Sequence, residues 1–154
     1  MKETKPESKQ PKKTVMRYRA TGKKPAYANA FAAGMDLPFM NEEAVELHTG
    51  EHTEVFTGVH VELPRGTFGL VAIRSGLGRK GLMLSNGIGI IDEDYRGEIR
   101  IPLYYHGIEP LRLEPGERVA QMVIIPYVQA DLQWSEDLSD TKRGQEGFGS
   151  SGRF

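Results

Sequence analysis

Short β-type stretches separated by turn signals constrain the fold of this chain more than any other feature of its sequence. Runs rich in apolar, β-branched and aromatic residues cover positions 15–19, 44–47, 53–63, 68–73, 82–85, 88–91, 98–105 and 118–128. Turn-forming residues interrupt them at 48–51, 64–66, 96–97 and 114–117. This spacing is typical of an antiparallel sandwich or barrel, and no long segment has a 3.6-residue period. We therefore predict an all-β domain in which residues 75–80 form at most one helical turn.

The two ends of the chain differ in composition from this central part. Residues 1–13 carry lysines, glutamates and prolines with almost no apolar side chains, which predicts a disordered basic tail. Residues 14–134 are long enough for one domain with one core. Residues 135–154 are predicted to be a flexible C-terminal arm. A targeting or anion-binding role is the alternative for the N-terminal tail, and its sequence offers no support for it.

Charge and cysteine content narrow the class of protein. A formal net charge of −1 gives no general attraction to nucleic acid or to an anionic membrane, so we expect neither as a partner. The longest apolar runs are far below membrane-spanning length. The absence of cysteine excludes a disulfide framework and a thiol nucleophile, and it agrees with a reducing compartment. We expect a cytoplasmic protein with a small-molecule substrate.

A glycine-rich segment near the C-terminus has the chemistry of a phosphate site. Residues 143–152 read RGQEGFGSSG. The glycines, including Gly149, allow close approach of the backbone to an anion, and Ser150 and Arg143 can donate hydrogen bonds to phosphate oxygens. The ring of Phe148 can stack on a base. The segment therefore predicts a lid over a nucleotide, with a mobile Gly/Ser tail as the alternative.

The segment 86–99, NGIGIIDEDYRGEI, contains the candidate catalytic base. Hydrolysis of a nucleoside triphosphate needs a group that orients a water molecule and accepts its proton, and the carboxylate of Asp92 suits this task. Asn86 and the glycines after it predict a hairpin whose main chain can contact the edge of a base. If residues 92–95 are extended, Asp92 and Asp94 face one side, whereas a tight turn would change this. A solvated acidic turn is the alternative.

These two segments and three others occur in an order that resembles one known family. The others are AGMDL at 33–37, RSGLG at 74–78 and ERVAQ at 117–121. From about Tyr18 to Gly152, the chain is similar to the trimeric deoxyuridine triphosphatase (dUTP pyrophosphatase) family. The resemblance implies a jelly-roll-like β-barrel that forms a homotrimer with a swapped C-terminal tail. It also implies hydrolysis of dUTP to dUMP and diphosphate, which lowers dUTP and supplies dUMP for dTMP synthesis.

The resemblance further assigns roles to individual residues. It implies attack on the α-phosphate by a water molecule that Asp92 activates, with Gln121 and Arg143 as the other catalytic residues. The substrate-binding residues that it implies are Arg74, Ser75, Gly76, Asn86, Gly89, Ile91, Asp92, Tyr95, Arg100, Gln121, Arg143, Phe148, Gly149 and Ser150. Mg²⁺ is the expected cofactor, held largely by substrate oxygens, with Asp36 acting on it indirectly through water.

Several of these assignments leave alternatives open. Tyr95 would pack under deoxyribose, or it is an ordinary strand tyrosine. Arg100 faces the base or sugar pocket, or it faces solvent. Asp36 organises the magnesium region, pairs within the barrel, or does both. Arg118 is as consistent with a structural ion pair as with a ligand contact.

Two other functions compete with dUTP hydrolysis. A dCTP deaminase, or a bifunctional deaminase and pyrophosphatase, has a related barrel, but such proteins usually lack the glycine-rich tail. A regulatory protein that uses nucleotide binding as a switch is the second alternative. A regulatory protein partner would leave no mark in the sequence.

Overall fold

The fold consists almost entirely of β-strands. A computed structural model describes residues 13–145 and Gly147. Within these residues the strands are β1 Arg17–Ala20, β2 Ala26–Tyr27, β3 Met35–Pro38, β4 Val45–Leu47, β5 His52–Phe56, β6 Val59–Glu62, β7 Thr67–Ile73, β8 Leu82–Leu84, β9 Gly89–Ile91, β10 Arg100–Tyr105, β11 Leu111–Leu113 and β12 Arg118–Pro126. The helical turn α1 covers Ser75–Gly78, between β7 and β8. The predictions of an all-β domain and of a single helical turn are confirmed.

The largest sheet has β12 at its centre. Its strand order is β2, β3, β12, β7, β9, and every pair of neighbours is antiparallel. A second sheet has the order β5, β10, β8, while β1 pairs with β6 and β4 with β11. β7 is therefore the strand that joins β12 on one side to β9 on the other.

The sheets enclose one hydrophobic core. Along β10, Ile101, Leu103 and Tyr105 are buried while the residues between them are half-buried, as expected for a strand with one face against the core. The side chains of Leu37, Phe39, Val55, Val59, Ile99, Leu113 and Met122 are among those that are fully buried. No helix in the described part of the chain has the length and hydropathy needed to span a membrane.

The structure differs from the strand prediction at one long run. The stretch 53–63 is two strands, because the chain turns at Thr57 and Gly58 between β5 and β6. The buried hydroxyl of Thr57 donates to the carbonyl of Ile99, 2.7 Å away, and accepts from the backbone N–H of Val59. Gly58 has a φ of +67° and lies against the Thr21 carbonyl, where a side chain would collide. A buried polar residue followed by glycine thus marks the break.

Three short strands are missing from the prediction: β2, β3 and β11. β3 is buried at every position, and β11 has three residues. Such strands show too little alternation between apolar and polar residues to be detected by periodicity.

Candidate active site

Asp36 lies at the centre of a cationic cluster on β3. Its side chain is 9% exposed, and each of its carboxylate oxygens binds a different arginine. The Nε of Arg74 is 2.9 Å from Oδ1, and the Nη1 of Arg118 is 2.9 Å from Oδ2. Two guanidinium groups share one carboxylate, so the cluster has a net positive charge. Because each carboxylate oxygen binds one arginine, the three side chains have little freedom to rearrange. Such a cluster is suited to bind an anion.

A β-bulge explains how Arg118 reaches Asp36. In the β3 and β12 ladder, Gln121 lies opposite Asp36, and Arg118 lies opposite Pro38. Residues three apart on a regular strand point to opposite faces, but the register shifts between Arg118 and Ala120. The extra residue in β12 brings Arg118 onto the face that Asp36 and Gln121 share. Arg118 thus forms the ion pair that the sequence leaves open as one of two roles, and Asp36 pairs within the sheet.

Arg74 comes to the same place from the end of β7. Its backbone N–H donates to the carbonyl of Val119 at 3.2 Å, which holds the start of α1 against β12. Ser75 and Gly76 follow in the first turn of α1. This turn brings the RSG segment to the edge of the cluster.

The side chain of Gln121 packs directly over Gly34. A Cβ atom built on Gly34 would lie 2.3 Å from the Oε1 of Gln121. No other residue type fits at position 34 unless the amide of Gln121 moves. The glycine in the AGMDL segment is therefore required by a close contact with the side chain of the facing strand.

These residues line an open groove with a volume of about 940 Å³. Its walls contain Gly34, Asp36, Arg74, Ser75, Gly76, Arg118 and Gln121, together with Lys23 and Lys80. The two lysines were not predicted from the sequence. Lys23 lies outside the motifs and Lys80 lies two residues beyond the RSGLG segment, so folding is needed to show that both line the groove.

A second and smaller cavity contains the candidate base. It has a volume of about 270 Å³ and is lined by Ile90, Ile91, Asp92, Tyr95, Glu98, Ile99 and Arg100. Residues 92–95 form a tight turn, in which the backbone N–H of Tyr95 donates to the carbonyl of Asp92 at 3.2 Å. Asp92 and Tyr95 therefore lie at the same cavity, which an extended strand would not allow.

Two further side chains define the walls of this cavity. The hydroxyl of Tyr95 donates to the carbonyl of Glu98 at 2.9 Å, and its ring covers Gly97 so closely that a Cβ there would collide with it. Arg100 lies over the ring of Phe56, 5.1 Å from its centroid, and its Nη1 is 3.3 Å from Glu54. Arg100 is thus both a wall of the cavity and an exposed strand arginine.

The connection before Asp92 is a tight turn between β8 and β9. The predicted hairpin is wrong, because β8 pairs with β10 and β9 pairs with β7, so the two strands lie in different sheets. Asn86 is exposed in a turn in which the backbone N–H of Gly87 donates to the carbonyl of Leu84. Gly87 has a φ of +76°, which explains why glycine follows Asn86. Gly89 pairs with Val71 of β7, and a Cβ at Gly89 would be 3.0 Å from that side chain.

The groove and the smaller cavity lie at opposite ends of β7 and have no lining residue in common. Arg74 follows the C-terminal end of β7. Ile91 pairs with Gly69 near its other end, so Asp92 is beside Phe68. The six residues from Phe68 to Arg74 correspond to about 20 Å along a strand. Within one chain, Asp92 and the arginine cluster are therefore too far apart to contact adjacent phosphates of one nucleotide.

The C-terminal arm is described only in part. Residues 127–145 contain no strand, and Arg143 is exposed in a turn closed by a hydrogen bond from Gly144 to the carbonyl of Thr141. Phe148, Gly149 and Ser150 lie outside the described residues.

The described residues contain no cluster of three His, Cys, Asp or Glu side chains that could hold a metal ion. One ionisable group beside Asp92 was missed in the sequence. Tyr127, just after β12, is 41% exposed. Partial loss of solvent around its phenol and the negative charges of Glu93 and Asp92 raise its pKa. No local sequence pattern could indicate this property of Tyr127, because it depends on the turn of residues 92–95, which lies beside it only in the folded chain.

The chain was compared with known proteins. A family model described as dUTPase matches residues 20–152. A deoxyuridine 5'-triphosphate nucleotidohydrolase from Acinetobacter baumannii (strain ATCC 17978) is 44% identical over 131 residues, covering 84% of this chain and 87% of that protein. The protein of the same name from Chromobacterium violaceum is 45% identical with the same coverage, 84% and 87%.

Solved structures provide an independent comparison. The dUTPase of Staphylococcus bacteriophage 80alpha with dUpNHpp is 27% identical, with a TM-score of 0.79, and the match covers 91% of this chain and 99% of that one. The structural match confirms the predicted jelly-roll-like fold class.

Proposed function

This chain belongs to the dUTPase family, and from this premise we propose that it is a dUTP diphosphatase, which hydrolyses dUTP to dUMP and diphosphate. The observation that carries the proposal is the presence of two complementary half-sites. One is a groove with an arginine pair fixed by Asp36, and the other is a cavity with Asp92 and Tyr95 at its wall. The first suits a phosphate chain, and the second suits a base and sugar. The product dUMP would supply dTMP synthesis, and removal of dUTP would keep uracil out of DNA.

The proposed reaction is an attack of water on the α-phosphorus. Asp92 accepts a proton from the water molecule while the oxygen of that water forms a bond to phosphorus. The bond from this phosphorus to the bridging oxygen of the β-phosphate breaks, and diphosphate leaves. Arg74, Ser75 and Gln121 would donate hydrogen bonds to phosphate oxygens on which negative charge increases.

Base and sugar selection would come from the smaller cavity and from the turn that precedes β9. We propose that the main chain around Asn86 and Gly89 contacts the edge of uracil, with Ile91 and Arg100 at its border. The ring of Tyr95 would pack under deoxyribose, where a 2′-hydroxyl would collide with it. The hydrogen bond from Tyr95 to Glu98 supports this role, because it fixes the ring against Gly97.

We propose that the complete site forms between copies of the chain in a homotrimer. Since about 20 Å of β7 separates Arg74 from Asp92, the groove of one copy must meet the smaller cavity of another. The C-terminal arm would then close the site, with Arg143 on the phosphates and Phe148 over the base. Residues 127–142, between β12 and Arg143, can span roughly 20 Å as a flexible chain, so that the arm can reach a neighbouring copy.

Mg²⁺ is the cofactor that fits this donor set. Each oxygen of Asp36 binds one arginine and has a lone pair left for a water molecule, which suits an indirect contact with an ion carried by the substrate phosphates. When bound, the ion would neutralise charge on the phosphate oxygens.

A substrate panel tests the proposed function. The purified protein is incubated with Mg²⁺ and each of dUTP, dTTP, dCTP and UTP, while diphosphate release and the identity of the base are followed. We expect conversion of dUTP alone. Release of ammonia from dCTP would instead indicate a deaminase, and tight binding of dUTP without product would indicate a regulatory nucleotide-binding protein.

A further inference from the structure

The acidic turn after β9 is attached to a neighbouring turn by one of its own side chains. Glu93 directly follows Asp92, and its Oε2 accepts a hydrogen bond from the backbone N–H of Gly66 at 2.5 Å. Gly66 lies in the turn between β6 and β7 and has a φ of +73°. The bond thus joins the turn of residues 92–95 to a turn that the sheet itself holds in place.

The end of β12 reinforces this connection. The backbone N–H of Tyr127 donates to the carbonyl of Gly66 at 3.2 Å, and its ring packs edge-on against Phe68, with centroids 6.4 Å apart. The negative charge of Glu93 also helps to raise the pKa of the Tyr127 phenol, which places the two side chains near each other. The carboxylate of Glu93 therefore lies where three segments of the chain meet.

Arg96 holds the backbone of the same turn. Its Nη1 donates to the carbonyl of Glu93 at 2.6 Å and to the carbonyl of Tyr95 at 3.0 Å. With its side chain and its carbonyl both bound, Glu93 has little freedom to rotate, and the carbonyl of Asp92 accepts from the backbone N–H of Tyr95. The remaining freedom of Asp92 is mainly that of its own side chain.

We propose that Glu93 is a positioning residue for Asp92, and that it acts by binding the N–H of Gly66. The inference rests on the proposed function, in which Asp92 is the general base. A base must hold its water within a fraction of an ångström of the productive position, and a displacement of about 1 Å can cost up to a hundredfold in rate. Glu93 lacks contact with the reacting atoms in this scheme, so its loss lowers kcat and leaves KM for dUTP nearly unchanged.

Two substitutions separate the effect of the length of the Glu93 side chain from the effect of its negative charge. Glu93→Gln keeps the length of the side chain and an oxygen that can accept from Gly66, but removes the charge. Glu93→Asp keeps the charge, but its side chain is shorter by one methylene and cannot reach Gly66. We expect Glu93→Gln to retain kcat within about threefold and Glu93→Asp to lower it by about tenfold or more. Glu46→Ala is the matched control, because Glu46 is an exposed glutamate on β4, where it pairs with His48.

The outcomes are distinguishable from failure of the proposed function. If the unsubstituted protein does not hydrolyse dUTP, the proposed function is wrong, and the positioning role of Glu93 that rests on it is wrong as well. If that protein is active and Glu93→Asp matches its kcat, the positioning role is wrong. A loss of kcat in Glu93→Gln with normal turnover in Glu93→Asp would also overturn it, since charge would then matter more than reach.

A spectroscopic measurement tests the contact without relying on activity. The pKa of the Tyr127 phenol is followed by NMR on protein with ¹³C-labelled tyrosine, with Tyr127→Phe to assign the signal. We expect Glu93→Gln to lower this pKa, because a neighbouring negative charge is removed. An unchanged pKa would place the Glu93 carboxylate away from the junction of Gly66 and Tyr127, and it would overturn the positioning role.

Discussion

Asp36 and Asp92 are both acidic residues of the candidate site, and their surroundings give them different tasks. Asp36 has an arginine on each oxygen, so its charge organises the groove. Asp92 lies at the wall of an open cavity, where a water molecule can reach it. The sequence alone predicts a role for each carboxylate, but the arginine partners of Asp36 depend on a β-bulge that no motif indicates.

Substitution of Asp92 by Asn tests the base directly. The amide keeps the size of the side chain but cannot accept the proton of the attacking water. We expect kcat to fall by at least about a hundredfold while dUTP still binds. Steady-state turnover and equilibrium binding of dUpNHpp are the measurements, and near-normal turnover would remove Asp92 from its role.

Substitution of Gly34 by Ala tests the placement of Gln121. The added methyl group would lie 2.3 Å from the Oε1 of Gln121 and force the amide away from its position. We expect kcat/KM for dUTP to fall by about tenfold or more. The control is the same substitution in a Gln121→Ala background, where the collision is absent. If Gly34→Ala costs as much activity there, the contact between the two residues is not the cause.

The raised pKa of Tyr127 predicts a dependence of stability on alkaline pH. In the unfolded chain a tyrosine ionises near pH 10, whereas in the folded protein the phenol keeps its proton to higher pH. The contribution of neutral Tyr127 is therefore fully present below about pH 10 and is lost as pH rises through the folded value. Urea denaturation at pH 8 and pH 10.5 should show a larger loss of stability for the native protein than for Tyr127→Phe. Equal losses would contradict the prediction.

At the scale of elements, the predictability of a strand depends on how its two faces differ. β7 and β10 were predicted nearly in full because their burial alternates. β3 is buried at all four positions, and its Asp36 resembles a loop residue in the sequence. The motif around Asp36 was therefore found by resemblance, while the strand that carries it was missed. Long-range pairing, such as that of Gln121 with Asp36, is not contained in any local pattern.

The C-terminal arm is the element whose removal should separate folding from catalysis. Deletion of the residues after Lys142 leaves every strand and the core intact. We expect the truncated protein to elute at the same oligomeric size and to melt at nearly the same temperature. We expect its turnover of dUTP to be severely reduced, because Arg143 and the glycine-rich segment are lost. Normal turnover by the truncated protein would disprove the role of the arm as a lid.

At the scale of the whole molecule, the separation of the two half-sites predicts complementation between inactive variants. Asp92→Asn lacks the base, and Gln121→Ala lacks a donor in the groove. If each site joins the groove of one copy to the cavity of another, mixed trimers from equal amounts of both variants contain about a quarter of intact sites. The two proteins are unfolded together, refolded and assayed, and each variant refolded alone is the control. Activity that stays at the level of the controls would show that one chain supplies both residues.

The position of these half-sites at opposite ends of one strand also has a consequence for newly made protein. A single chain can complete its core as soon as its strands have paired, but on the proposed assembly it cannot act on a nucleotide until it meets other copies. Folding and the onset of activity are then separate events, and the second depends on concentration. Dilution would then remove the activity without unfolding the chain. Synthesis of more chain would raise the activity more steeply than in proportion to the amount of protein.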